Sequence, residues 1–206
     1  MVFNLFNLPE ENKTEEETYL FFDTETTGLP KDYKAPVTKL DNWPRLVQIA
    51  WLFYGKSGNL ISEGSYIIKP EGFDIPIVSS NIHGITTEIA EKSGVPLDGV
   101  LSEFDKLVNK STYLIAHNIS FDEKIVGAEF LRKKMANNLP SKKTICTKDV
   151  STNYCAINGK FGFKWPTLQE LHNKLFGENF VESHNAIADI AATAKCFWEL
   201  RKRGVV

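Results

Sequence analysis

Three short segments carry side chains whose types and spacing suit hydrolytic chemistry. In the first, Asp23 and Glu25 lie at the end of the apolar run YLFFD, residues 19–23, and side chains two positions apart on a strand point to the same face. Two adjacent carboxylates raise each other's pKa unless a cation neutralises them. Gly28 follows in a turn where the backbone can approach a ligand closely, so the pair predicts a divalent-metal site.

The second and third segments are AHNISFD, residues 116–122, and HNAIAD, residues 184–189. Asp122 falls in the first turn of a predicted helix, and Asp189 falls in the first turn or two of another. Each aspartate has a plain structural explanation by itself, because an acidic residue there interacts favourably with the helix dipole. His184 by itself is equally compatible with an exposed histidine that precedes a helix.

The combination of the three segments is more specific than any one of them. Together they supply four carboxylates and one histidine, each at a strand end or a helix start. Four carboxylates in one site require positive charge, which two divalent cations would provide. Two such ions stabilise the attacking and leaving oxygens of a phosphoryl displacement, and a histidine with a pKa near neutrality can deprotonate water. The combination therefore favours phosphodiester hydrolysis.

The elements that must position these residues alternate between strands and helices. The predicted strands are residues 19–23, 46–54, 60–69, 113–116 and a short one over 144–150, with the second and third forming a hairpin around GKSGN. The predicted helices are residues 97–108, 120–134, 167–175 with the capping box Thr167–Glu170, and 185–203. This order predicts an α/β fold: a mixed sheet with helices on both faces. A long polar loop over residues 30–44 is expected to be functional or mobile.

Composition narrows the class of protein. The chain has 206 residues, 42% of them hydrophobic and 24% charged, which predicts one domain, with residues 1–17 as an N-terminal extension and 18–204 as the core. No apolar run is long enough to span a membrane, and the N-terminus does not resemble a signal peptide. The three cysteines contain no C-x-x-C pair, so we expect a cytoplasmic protein without a disulfide framework.

The formal net charge is only −2, but it is unevenly spread. Residues 131–165 contain eight Lys or Arg and one Asp. Such a segment is often a solvated surface. Next to a site for an anionic substrate, however, it predicts that Lys142, Lys143, Lys160 and Lys164 line the path of a nucleic-acid strand.

The three motifs, FFDTETTG, AHNISFD and HNAIAD, resemble in type and order those of the DEDDh 3′–5′ exonucleases. This DnaQ-like family includes the proofreading epsilon subunit of bacterial DNA polymerase III, ribonuclease T and oligoribonuclease. NIHGIT, residues 81–86, is similar to a segment between the first two motifs in the epsilon branch. The resemblance extends from about residue 20 to 200 and implies a ribonuclease H-like fold with a central five-stranded mixed sheet.

The resemblance also implies roles for individual residues. Asp23, Glu25, Asp122 and Asp189 would bind two divalent ions, Mg²⁺ or Mn²⁺, and His184 would be the general base. The residues that match positions around the terminal nucleotide are Thr26, Thr27, Leu29, Ile82, His83, Asn118 and Phe121. Leu29 is expected to pack beside the base.

Several alternatives stay open at the level of sequence. The leading interpretation is a 3′–5′ exonuclease on single-stranded DNA 3′ ends. An exoribonuclease is the second, since no sequence feature reports contacts to a 2′-OH. A catalytically silent nucleic-acid-binding module would not need a general base, and a phosphodiesterase for small nucleotides would not need the basic segment. The loop over residues 30–44 is longer than in compact family members. Because the sequence stops soon after the last predicted helix, we expect no C-terminal tail like the one with which the epsilon subunit docks, and we assign no polymerase partner.

Overall fold

A five-stranded mixed sheet forms the centre of the computed structural model, which describes residues 17–178, 180 and 186–206. Its strands are β1 (Thr18–Thr26), β2 (Leu46–Gly55), β3 (Leu60–Ile67), β4 (Tyr113–Ala116) and β5 (Lys143–Cys146). Their spatial order is β3-β2-β1-β4-β5. β1 pairs antiparallel with β2 and parallel with β4, and β4 pairs parallel with β5. The five-stranded mixed sheet of the predicted fold is thereby confirmed.

The sheet is joined by eight helices and a small hairpin in the described part of the chain. The helices are α1 (Ile77–His83), α2 (Thr87–Ser93), α3 (Leu97–Lys110), α4 (Ile119–Arg132), α5 (Thr147–Val150), α6 (Thr152–Cys155), α7 (Leu168–Phe176) and α8 (Ala186–Lys202). The hairpin pairs β6 (Asn158–Gly159) with β7 (Gly162–Phe163). No helix in these ranges is both long enough and apolar enough to span a membrane.

Both faces of β1 are buried, and each face packs on different helices. Leu20 and Phe22 contact the apolar cluster formed with α3 and α4. Tyr19 and Phe21 contact the cluster that includes Ile190 of α8. A strand that is covered on both sides has apolar residues at successive positions, without the alternation of apolar and polar residues of a half-exposed strand, which explains the sequence YLFF. The helices on both faces agree with the predicted α/β class.

The predicted strand over residues 144–150 is wrong in its second half. β5 ends at Cys146, and residues 147–150 form the short helix α5. The Thr147 hydroxyl is completely buried, 3.3 Å from the Ala116 carbonyl and 3.0 Å from the His117 ring. These contacts to the end of β4 turn the chain out of the sheet. They involve residues 30 positions away, so local sequence does not report them.

The loop over residues 30–44 is packed against the protein. Ala35 and Trp43 are buried, and residues 40–42 form a single 3₁₀ turn. Arg132 of α4 donates hydrogen bonds to the carbonyls of Leu40 (2.8 Å) and Trp43 (2.7 Å). The loop therefore forms a wall beside α4. Of the predicted extension, residues 1–17, only Glu17 lies within the described residues.

Candidate active site

The carboxylates of β1 and α8 meet at the sheet edge where β1 ends. Carboxylate oxygens of Asp23, Glu25 and Asp189 all lie within 4.8 Å of one another. Asp23 and Glu25 share the face of β1 that α8 covers, as strand periodicity requires. Asp189 is in the first turn of α8, next to Ile190, whose side chain packs against the sheet. The packing of α8 on the sheet therefore brings the first and third motifs together.

Asp122 approaches the same strand from the opposite face. It lies in the first turn of α4, is only 3% exposed, and accepts a hydrogen bond of 2.7 Å from the Thr24 hydroxyl. Thr24 points away from its neighbours Asp23 and Glu25, towards α4. Asp122 is not part of the tight group of three, but its charge contributes to the raised pKa values of both β1 carboxylates. The structure thus places all four predicted carboxylates in one region.

Without a cation, Asp23, Glu25 and Asp122 have pKa values above those of ordinary carboxyl groups. Burial, followed by repulsion from Asp122 and Glu25, raises the pKa of Asp23 well above its ordinary value. Burial and the charge of Asp189 raise the pKa of Glu25 to about 8. Burial also raises the pKa of Asp122 to about 7, against the opposing effect of the Thr24 hydrogen bond. A group of clustered oxygen donors with such pKa values fits a hard divalent cation, which would supply the missing positive charge.

The turn after β1 is held rigidly by backbone contacts. The Thr27 amide donates to the Arg45 carbonyl (3.0 Å), and the Arg45 amide donates back to the Thr27 hydroxyl (2.9 Å). The Thr26 hydroxyl donates to the Gly28 carbonyl at 2.6 Å. Gly28 has a φ of 150°, a backbone conformation that residues other than glycine rarely adopt. Leu29 follows with 73% of its side chain exposed beside the site.

The end of α1 lies against this turn. His83 is buried, accepts a hydrogen bond of 3.1 Å from the Ile85 amide through Nδ1, and faces the Thr26 backbone without a well-formed bond from Nε2. Burial lowers its pKa, so the ring is neutral. Ile82 next to it is 55% exposed. The NIHGIT segment therefore adjoins the first motif in the folded chain, and α1 and α2 themselves were not predicted.

The start of α4 carries the remaining predicted contacts. Asn118 precedes the helix with a φ of 98°, and its Oδ1 accepts a 2.6 Å hydrogen bond from Lys148. The positive charge of Lys148 also lowers the pKa of Asp122 somewhat. Phe121 is partly buried near the ring of Tyr33, with 6.5 Å between the ring centroids. Lys148 was counted only as part of the basic segment, and nothing local in the sequence relates it to Asn118.

His117 has a positioning role that the sequence did not assign. Its Nε2 donates to the Pro166 carbonyl (3.1 Å), which leaves Nδ1 to accept from the Thr147 hydroxyl (3.0 Å). Burial lowers the pKa of His117 to about 4, so it is neutral at physiological pH. The ring thereby connects the end of β4 to the segment before α7. The only sequence feature that points to this role is the position of His117 at the end of a predicted strand, within AHNISFD.

The basic segment, residues 131–165, is divided among different elements of the fold. Lys143 pairs with Tyr113 at the start of β4, and Lys142 donates to the carbonyls of Asn109 and Ser111. The start of β4 is about 10 Å from the site, at roughly 3.3 Å per residue. Lys142 and Lys143 therefore do not border the site, contrary to the predicted strand path. Lys160 and Lys164, by contrast, lie on the hairpin that follows α6.

Residues 181–185, which include the predicted general base His184, lie outside the described residues and precede α8 in the sequence. The structure therefore does not test the predicted general base. It does fix Ala186, the first residue of α8, in the buried cluster against Phe21.

A ribonuclease H-like sheet with this arrangement of carboxylates defines a class of nuclease, and sequence comparison assigns the chain to a family within it. A model of the exonuclease family RNase_T matches residues 20–197. The chain belongs to this exonuclease family. The DEDDh-type, DnaQ-like exonuclease class indicated by the three motifs is thereby confirmed.

Relatives and solved structures agree with that assignment. The chain is 32% identical over 182 residues to the PolC-type DNA polymerase III of Streptococcus pneumoniae and 30% identical over 194 residues to that of Lactococcus lactis. The matches cover 87% and 91% of this chain but only 11% and 10% of the polymerases. The chain thus spans about a tenth of their length. Exonuclease I of E. coli, solved in complex with a dA16 oligonucleotide, shares the fold: its TM-score is 0.72 at 21% identity, over 91% of this chain and 41% of that one.

Proposed function

We propose that this protein is a metal-dependent 3′–5′ exonuclease that hydrolyses phosphodiester bonds in DNA and releases nucleoside 5′-monophosphates. The observation that carries the proposal is the cluster of Asp23, Glu25 and Asp189, whose carboxylate oxygens lie within 4.8 Å, beside the buried Asp122. Membership of an exonuclease family supports the reaction type.

Asp23, Glu25, Asp122 and Asp189 are proposed to hold two divalent ions, Mg²⁺ or Mn²⁺. Their oxygen donors fit such ions, and so do the raised pKa values of Asp23, Glu25 and Asp122, since cations restore the charged forms that burial disfavours. When bound, the ions supply Lewis acidity that stabilises the charge on the attacking and leaving oxygens.

The chain's own residues orient the substrate and move the proton. His184 is proposed to accept a proton from the attacking water, a role for which its place on the segment before α8 is suitable. Thr26, Thr27, Leu29, Ile82, His83, Asn118 and Phe121 are proposed to surround the terminal nucleotide. The exposed side chains of Leu29 and Ile82 offer apolar surface for a base, and the rigid turn after β1 offers backbone groups for the sugar and phosphate.

DNA is proposed as the substrate because the PolC-type relatives are named as DNA polymerases and the exonuclease I structures hold a DNA oligonucleotide. RNA is the second candidate. A polymerase partner is left open, since the chain matches only part of the PolC-type proteins. We also propose a single exonuclease domain in the cytoplasm.

The test is hydrolysis of short single strands labelled at the 5′ end, as DNA and as RNA, with EDTA, Mg²⁺ or Mn²⁺. Stepwise shortening from the 3′ end in the presence of metal is expected. Asp23→Asn and Asp122→Asn are expected to abolish it while the fold survives. In EDTA at pH 8, both variants should melt at the same temperature as the wild type or higher, because a neutral amide needs neither a proton nor a cation in order to be buried at either position. Near wild-type turnover in either variant at saturating Mg²⁺ would contradict the metal assignment.

A further inference from the structure

The small hairpin after α6 exposes aromatic side chains that its own fold does not use. Phe161 at the tip is 94% exposed, Phe163 is 50% exposed and Trp165 is 63% exposed. Three aromatic side chains exposed within five residues form a surface that usually serves binding. The exposed rings contribute nothing to the apolar clusters of the protein.

The hairpin is anchored at its base, so these rings are displayed from a fixed position. The Lys164 amide donates to the Ile157 carbonyl (2.9 Å), and Lys164 Nζ pairs with Glu170 of the α7 capping box at 2.6 Å. Next in the chain, the Pro166 carbonyl accepts the hydrogen bond from His117. A fixed platform binds a ligand with less loss of conformational entropy than a flexible loop.

The platform is joined to the active site through one lysine. Lys148 Nζ lies 4.4 Å from the centroid of the Trp165 ring and 2.6 Å from Asn118 Oδ1. Asn118 precedes α4, one turn before Asp122. Trp165 and Asn118 therefore contact the same lysine.

The charge of the surface identifies its ligand. Lys148 and Lys160 both lie over aromatic rings of this surface, with Lys160 Nζ 5.2 Å from the centroid of Phe161. Within the described residues, no carboxylate forms an ion pair with either lysine. Aromatic rings alternating with unpaired cations suit single-stranded nucleic acid, whose bases stack and whose phosphates attract the lysines.

We propose that Trp165 and Phe161, with Lys148 and Lys160, form a stacking platform for the nucleotides of a single strand that precede its 3′-terminal residue. The inference rests on the proposed exonuclease function, since that function places the 3′ end among the carboxylates. It adds a second binding region, which a dinucleotide does not reach and a longer strand does. The platform is selective for strand length and tolerant of base sequence, because every base has a π face.

Binding without cleavage tests the platform directly. In EDTA, the affinity of the full chain for 5′-fluorescein-labelled dT12 is measured by anisotropy for the wild type, Phe161→Ala, Trp165→Ala and Trp165→Phe. Each alanine variant is expected to weaken binding by between about 5-fold and 150-fold, the range for loss of one stacked base. Trp165→Phe keeps a ring and should bind within about threefold of the wild type, while the quenching of tryptophan emission by dT12 should decrease.

The matched control is Ile61→Ala, which removes an apolar side chain of similar exposure (54%) from β3. It should bind dT12 like the wild type, and all variants should melt within a few degrees of it because the substituted side chains are exposed. In Mg²⁺, the ratio of the KM for dT12 to the KM for a dinucleotide should rise in the alanine variants at the platform. Failure of the wild type to hydrolyse any strand would refute the proposed function, but the binding measurement would still report on the platform.

Two results would overturn the platform. One is binding of dT12 by Phe161→Ala and Trp165→Ala that equals wild-type binding, which would leave a protein partner as the reason for the exposed rings. The other is an absence of dT12 binding by the wild type itself.

Discussion

At the scale of single residues, the site depends on the alternation of side chains along β1. Asp23 and Glu25 face α8, whereas Thr24 between them faces α4 and holds Asp122 through a 2.7 Å hydrogen bond. Three consecutive residues of one strand therefore organise carboxylates on both of its faces. Because the Thr24 hydroxyl donates to Asp122, it also favours the ionised carboxylate that a cation requires.

His184→Ala separates the proposed general base from the metal ligands. The variant is expected to lose about 10²- to 10⁴-fold in kcat, the usual contribution of a positioned general base. Binding of Mn²⁺, measured by calorimetry, should be nearly unchanged because the four carboxylates remain. The acid limb of the kcat profile between pH 5.5 and 9, near the ordinary histidine pKa of about 6.5, should disappear. If Mn²⁺ binding is lost together with activity, His184 is a ligand or a structural residue instead.

His117 gives the folded protein a specific sensitivity to acid. Its pKa is about 4 in the folded protein and near 6.5 when unfolded, so the unfolded state binds more protons between these values. Its contribution to stability is therefore lost as the pH falls from about 6.5 to 4, up to roughly 3 kcal/mol. The carboxyl groups whose pKa values are raised have the opposite effect on stability: over much of this range they stabilise the folded state as the pH falls.

The variant His117→Gln isolates this effect. It can keep a donor to the Pro166 carbonyl but does not titrate, and it shares all the carboxylates with the wild type. Denaturant unfolding in EDTA at intervals from pH 7.5 to 4.5 should show the wild type losing stability relative to the variant as the pH falls. A constant difference across this range would mean that His117 is not buried in its neutral form.

At the scale of elements, one buried carboxylate of α4 connects the site turn to the loop over residues 30–44. Glu129 Oε1 accepts hydrogen bonds from Arg45 Nε (2.8 Å), Arg132 (2.8 Å) and the Leu46 amide (3.1 Å). The backbone of Arg45 in turn holds Thr27 by accepting a hydrogen bond from its amide and donating one to its hydroxyl, and Arg132 holds the loop. Glu129 thus positions the turn after β1 without touching the reacting groups.

Glu129→Ala is expected to reduce the free energy of unfolding by about 3–5 kcal/mol, because it leaves buried cationic and amide donors without an acceptor. Glu129→Gln keeps an oxygen for these donors and should lose less. Urea denaturation of both variants measures the difference, and the KM for a dinucleotide reports whether the turn has moved. Equal stability of Glu129→Ala and the wild type would show that the network makes no net contribution.

At the scale of the whole molecule, the direction of the strands sorts the basic residues into two groups. β4 and β5 begin at the edge where Lys142 and Lys143 lie and end at the edge where Asn118 and Lys148 lie. The second group lies at the edge of the sheet where the carboxylates are, so we expect it to meet a strand that enters the site. Lys142 instead donates hydrogen bonds to backbone carbonyls near the end of α3, which is a structural role.

Single neutralised lysines test this separation. Lys160→Gln is expected to reduce the slope of log K against log salt for single-stranded binding by about 0.7, the value for one lost phosphate contact. Lys142→Gln and Lys143→Gln should leave the slope and the KM for long strands unchanged. Anisotropy titrations of dT12 between 50 and 300 mM NaCl provide the measurement. An equal decrease of the slope in all three variants would mean that the whole basic segment attracts the strand by its charge, without the separation into two groups.

The sequence by itself determined the features that depend on near neighbours. The i, i+2 spacing of Asp23 and Glu25 requires a shared face once the segment is a strand, and the Thr167–Glu170 capping box begins α7 as predicted. The apolar runs and helical periodicities fixed the α/β class, because burial of these patterns requires layers. The motifs indicated the exonuclease family, and the family match confirmed it.

Only the tertiary structure decided which distant residues meet. The Thr147 contacts that end β5, the approach of Asp189 to Asp23 and the connection of Lys148 to Asn118 and Trp165 each join residues at least 17 positions apart. Counting charges along the sequence grouped Lys142 with Lys160, but Lys142 lies by the start of β4, whereas the hairpin that carries Lys160 is connected through Pro166 to His117 at the end of β4. Proximity in the folded state is set by how strands pair and helices pack over the whole core, and no local pattern of residues encodes that distance.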